Sequence, residues 1–121
     1  MRINKKAIIA AIEADSYLSA SALINGKVPG CRHVGRCAIG ALLRHGGLAP
    51  ATLKAIDRNA DCGYAEHPKS GPILRKKYGL DEALVAKIVT CNDNFSCMMY
   101  DKPLDGWKAR AKHVIEFIKG L

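Results

Sequence analysis

Apolar positions recur at helical spacing along most of the chain, and five stretches carry the pattern strongly enough to predict helices. After Asn4, an N-cap residue, Ile8, Ala11 and Ile12 fall on one face of a helix reaching about Ala14. The run from Cys37 to His45, stopped by Gly46 and Gly47, predicts a short buried helix with a glycine end. Pro50 suits the first turn of a helix to about Arg58, with Leu53 and Ile56 facing inward. Asp81 is expected to cap a helix that carries Leu84, Val85, Ile88 and Val89 and ends near Asn92. Asp105 is expected to cap the last helix, on which Trp107, Ala111, Val114, Ile115, Phe117, Ile118 and Leu121 occupy one arc. Ile73–Tyr78 adds one or two helical turns before Gly79, and Tyr17–Ile24 is left open between a short strand and a turn.

These elements predict an all-α fold, a single compact domain of about five helices spanning residues 1–121. Residues 16–36 and 93–104 read as irregular, since Asn25-Gly26 and Pro29-Gly30 are turn dipeptides. With 49% hydrophobic and 25% charged residues the chain closes one core, which excludes a disordered tail. The last helix is expected to be the keystone of that core, with Trp107 buried on it.

No apolar run approaches the roughly 18 residues of a membrane span, and Glu13 and Asp15 interrupt the apolar stretch behind the basic start. An odd count of 5 cysteines without a signal peptide predicts a reduced, cytoplasmic protein with no disulfide framework. Cys31, His33, Cys37, Cys62 and His67 are zinc-compatible in type, but no C-x2-C pair is present, so no metal is predicted. No phosphate-loop or dinucleotide fingerprint exists, and no cofactor is predicted.

Charge changes this picture more than composition does. The net charge is +8, and it is uneven: residues 1–36 carry +4, residues 81–105 carry −3 and residues 106–121 carry +3. Positive charge gathers at the two ends and in Arg75-Lys76-Lys77, and Lys108, Lys112 and Lys119 form one stripe beside the apolar arc of the last helix. Solubility alone accounts for scattered lysines, whereas the whole-chain excess points to phosphates. Two phenylalanines, one tryptophan and four tyrosines make no evident stacking platform, so a compact phosphorylated ligand is as reasonable as nucleic acid. Arg32, His33, Arg36, Arg44, Lys108 and Lys112 are the candidate ligand-binding residues.

Cys37 is the candidate for chemistry. A thiol at a helix start with Arg36 beside it favours the thiolate, with His33 or His45 as base and Asn92 or Asp93 to orient that base. Packing explains the same residues, because Cys37, Gly40, Ala41 and Arg44 share a side of the helix where small residues allow close approach of another backbone. Asn92 falls within the apolar arc of its helix, which predicts a buried amide in need of hydrogen-bond partners.

Cys37-Ala38-Ile39-Gly40-Ala41-Leu42, then Tyr78-Gly79-Leu80 and Asn92-Asp93, resemble a group of short uncharacterised bacterial and phage proteins with a C-A-I/L-G-A-L helix and a later N-D pair. The resemblance covers about half of the chain. It implies a phage or mobile-element accessory protein, cytosolic, that counters host defence. It carries no catalytic role to this chain, and draws Cys37, Asn92 and Asp93 together.

The residues thus lead to a non-enzymatic protein that binds a phosphate-rich partner, either a nucleotide-like ligand or nucleic acid. Two alternatives stand beside it: a thiol hydrolase or transferase using Cys37, and an inhibitor that docks on an acidic host protein.

Overall fold

In the computed structural model, residues 2–15, 18–19, 36–58, 64–96 and 99–121 are described. They form α1 (Lys5–Asp15), α2 (Ala38–His45), α3 (Pro50–Arg58), a π-helical turn (Ile73–Lys77), α4 (Glu82–Asn94) and α5 (Pro103–Lys119). The fold is all-α, with helix packed on helix and no strand among the described residues; a lone parallel bridge joins Leu18 and Arg36.

The core centres on α2. It packs against α1, α3, α4 and the π-helical turn, while α5 closes the other side against α1 and α4. Ala38, Ile39, Gly40, Ala41, Leu42 and Leu43 are all buried, so this short helix has no solvent face until Arg44. Three of them are large aliphatics, each worth about 1.5–3 kcal/mol when buried, and Gly40 and Ala41 let neighbours approach. The small residues noted in the sequence are therefore packing residues.

The caps follow side-chain chemistry. Asn4 Oδ1 accepts from the Ala7 amide at 3.1 Å and Asp81 Oδ1 from the Leu84 amide at 2.8 Å, each satisfying a first-turn donor that the helix leaves free. Asp105 does not cap α5. That helix starts three residues earlier than a cap at Asp105 implies, at Pro103, whose fixed φ suits a first helical position, and Asp105 lies in its first turn at the positive end of the dipole. α4 runs on to Asn94, two residues past the expected end, before Phe95 turns extended.

Helix α5 does close the core, but Trp107 is not buried in it. Its side chain is half-buried, and the buried positions of α5 include Ala111, Val114 and Ile118, with Ile115, Phe117 and Leu121 half-buried against the core. The arc is correctly phased, but its first turn lies at the edge of the bundle, where a large ring keeps one face in solvent. Among the described residues Tyr78 is the largest side chain fully buried, and its hydroxyl donates to the Leu42 carbonyl at 2.7 Å.

Gly79 has φ +67°, a left-handed conformation that carries no penalty without a Cβ. The reversal there brings the N-terminal segment alongside: the Asn4 amide donates to the Tyr78 carbonyl at 2.9 Å. No described helix is long and apolar enough to cross a membrane.

Candidate functional site

Cys37 precedes α2 in extended backbone, and its Sγ accepts from the Gly40 amide at 3.4 Å, so the thiol serves as a helix cap. Asn92, on the inner face of α4, reaches the same helix end. Its Oδ1 accepts from the Ala38 amide at 3.0 Å, and its Nδ2 donates to the Ser19 carbonyl at 3.0 Å and to Asp93 Oδ1 at 2.9 Å. Cys37, Tyr64, Val89, Asn92 and Asp93 line a small cavity of about 110 Å³. The structure therefore brings together the three residues that the sequence set side by side.

Their chemistry is structural. Cys37 is 7% exposed, and both polar ends of the Asn92 side chain are occupied by backbone partners from other segments. His45 cannot be the base for Cys37. It ends α2, about 12 Å along the axis from Cys37 at 1.5 Å per residue, and its Nε2 lies 3.4 Å from Asp15 Oδ1. His33 lies outside the described residues, as do Arg32, Cys31 and Cys62.

Arg36 is also committed elsewhere. Its Nη1 sits 2.6 Å from Asp15 Oδ1, an ion pair in which the carboxylate is 4% exposed and the guanidinium 15%. Asp15 thus ties α1 to both ends of α2 through Arg36 and His45. Removing one partner of so buried a pair costs about 3–5 kcal/mol, because the other charge is left desolvated. Sequence reading passed over Asp15, which at the C-terminal end of a helix opposes the dipole; its place three residues beyond Ile12, on the buried face, was the available signal. Arg110 was missed for a related reason. It is 5% exposed on α5 and donates to the Leu18 carbonyl at 3.1 Å and to the Phe95 carbonyl at 2.9 Å, stitching two non-helical segments to the helix.

Several of the other cations converge. Lys5 Nζ donates to the Lys119 carbonyl at 3.3 Å, which puts the start of α1 beside the end of α5. Asn4 Nδ2 donates to the Lys77 carbonyl at 3.4 Å, and Lys77 Nζ donates to the His45 carbonyl at 3.3 Å. The first residues, the π-helical turn, the end of α2 and the end of α5 therefore share one region of the surface. Arg2, Lys6, Arg44, Arg75, Lys76, Lys77 and Lys119 are exposed there, and Glu116 pairs with Lys119 at 3.3 Å.

Lys108 and Lys112 lie farther along the same α1–α5 seam, lining a shallow groove with Ile12, Glu13, Ala111 and Ile115. The antiparallel packing of α1 and α5 makes the lysine stripe of α5 lead into this basic end. Of the six candidate binding residues, Arg44, Lys108 and Lys112 face solvent on this side and Arg36 is taken by Asp15.

Among the described residues, burial shifts the titration of two groups. Burial pushes the Tyr78 hydroxyl up to about 12, and burial also raises the Cys91 thiol. No protein-family model matches this chain, and no curated protein or solved structure matches it either.

Proposed function

We propose that the chain is a non-enzymatic protein that binds the phosphate backbone of a nucleic acid through its basic end. The observation that carries this reading is the convergence of Arg2, Lys6, Arg44, Arg75–Lys77 and Lys119 from four separate segments onto one exposed surface. An extended polyanion suits this surface better than a single nucleotide does. The groove beside it, about 500 Å³ and lined by Ile3, Arg75, Leu80, Asp81 and Leu84, is mostly apolar and carries a carboxylate that repels phosphate. No described aromatic side chain projects among these cations for bases to stack on, so binding is governed by charge and is indifferent to sequence. The likeness of the α2 sequence and the Asn92–Asp93 pair to phage proteins supplies the setting: an accessory protein of a phage or mobile element, acting against host defence.

The thiol hydrolase or transferase reading is the weaker one, since Cys37 is a buried cap and the His45 ring belongs to Asp15. Fluorescence anisotropy with single-stranded and duplex oligonucleotides, and with a nucleoside triphosphate, tests the proposal across a salt series. With about four phosphates neutralised, affinity for DNA falls roughly 100-fold between about 50 and 200 mM salt. The triple variant Arg75→Ala, Lys76→Ala, Lys77→Ala binds at least about tenfold more weakly at low salt. Absence of binding at low salt overturns the reading and leaves docking on an acidic protein as the function of the basic end.

A further inference from the structure

Between them, α4 and α5 leave an open groove of about 720 Å³. Its apolar lining is Cys91, Phe117 and Leu121, all half-buried, and the exposed Lys87 flanks it. His113, also part of the lining, has its ring 5.1 Å from that of Phe95, and the Phe95 ring is 6.5 Å from that of Tyr100. This chain of rings leads from the groove to a projecting segment. There Met99 is 89% exposed and Tyr100 39% exposed, the large hydrophobics that stand out in solvent among the described residues. Asp101 follows them, also exposed.

An apolar groove and an apolar knob side by side, with a cation at one and a carboxylate at the other, make a surface complementary to itself. We propose that a second copy of this chain docks here, each copy seating Met99 and Tyr100 in the α4–α5 groove of the other and setting its Asp101 against the other's Lys87. A twofold pair satisfies both contacts at once, since knob and groove occur together on each copy. Methionine and tyrosine suit such a seat: the thioether adapts to an irregular surface, and both are enriched at the cores of interfaces.

The patch is smaller than the roughly 20–30 residues per side of a standard interface, which places the dimer among the weak, reversible ones.

This inference does not depend on the phosphate-binding reading, and its readout needs no nucleic acid. Sedimentation equilibrium in reducing buffer, over about 5–500 µM protein, is expected to show reversible dimers. Met99→Asp raises Kd at least about tenfold, and because that side chain is almost wholly in solvent the variant keeps its helical circular dichroism. Lys87→Asp weakens the dimer, and adding Asp101→Lys to it restores the wild-type constant. A mass that stays monomeric throughout the range overturns the proposal, as does a dimer indifferent to Met99→Asp or a double variant no tighter than Lys87→Asp alone.

Discussion

The Asn92 carboxamide on α4 accepts a hydrogen bond from the Ala38 amide at the first turn of α2, 54 positions away in sequence, at 3.0 Å. The same side chain donates to the Ser19 carbonyl, so one residue satisfies buried backbone groups from two other segments. Asn92→Ala strands both of them, and each orphaned group costs about 1–3 kcal/mol. The thermal midpoint is expected to fall by about 10 °C, at roughly 3–5 °C per kcal/mol for a domain of this size. Asn92→Asp gives little rescue, since the Ser19 carbonyl loses its donor and a second carboxylate meets Asp93. A midpoint within about 2 °C of wild type for Asn92→Ala shows that the amide is not the joint described.

Cysteine reactivity follows from burial in two different ways. Cys37 is enclosed at the start of α2, while Cys91 is half-buried and its thiol is raised by that burial, so it holds little thiolate at neutral pH. Brief iodoacetamide labelling near pH 7, read by mass spectrometry, is expected to leave Cys37 unmodified until the chain is denatured. Cys91 labels more slowly than a small free thiol and speeds up as pH rises. Rapid native alkylation of Cys37 contradicts its role as a cap and reopens the hydrolase alternative.

Most of the helices were legible because they bury one continuous face that repeats in the sequence, and α2 because it is a short apolar run ended by Gly46 and Gly47. Asn4, Asp81, Pro50 and Gly79 marked boundaries through local chemistry that needs no partner. Asp105 misled because an acidic residue is favourable throughout the first turn, whereas Pro103 fixes where the turn begins. The basic end was half visible. The sequence shows cations at both termini and at Arg75–Lys77, but only the pairing of Lys5 with Lys119 and of Asn4 with Lys77 makes them neighbours. The fate of Arg36 was hidden for the same reason: its partner Asp15 is 21 residues away in sequence, and no local rule pairs them.

Tyr78 makes stability fall on the alkaline side. Its hydroxyl titrates near 10.0 when unfolded and at about 12 when folded. Below pH 10 both states hold the proton, and the contribution is fully present. Between these values the unfolded chain releases its proton while the folded one keeps it, so stability drops with rising pH, by on the order of 2–3 kcal/mol once both values are passed. Tyr78→Phe lacks this titration but loses the bond to the Leu42 carbonyl, worth about 1 kcal/mol. Urea denaturation is thus expected to find wild type the more stable at pH 8 and Tyr78→Phe the more stable above pH 11. Curves that run parallel from pH 8 to 12 count against a buried, protonated Tyr78.

Gly79 couples the fold to the basic end. Its φ of +67° is a left-handed conformation, and a Cβ there would lie 2.8 Å from the Arg2 carbonyl carbon and closer still to its oxygen. The close approach is backbone to backbone, so no side chain can swing away to relieve it. Gly79→Ala must therefore push the N-terminal segment off the Tyr78 and Lys77 carbonyls, parting Arg2 and Lys6 from Arg75–Lys77. Gly47 is the matched control, with φ +111° but open space where its Cβ would sit, so Gly47→Ala carries conformational strain alone, about 1–2 kcal/mol. Gly79→Ala is expected to lower the thermal midpoint further than Gly47→Ala and also, while still folded at low temperature, to weaken oligonucleotide binding several-fold at low salt. If both variants lose stability and neither loses affinity, the N-terminal cations take no part in binding, and the contact rests on the π-helical turn and α5.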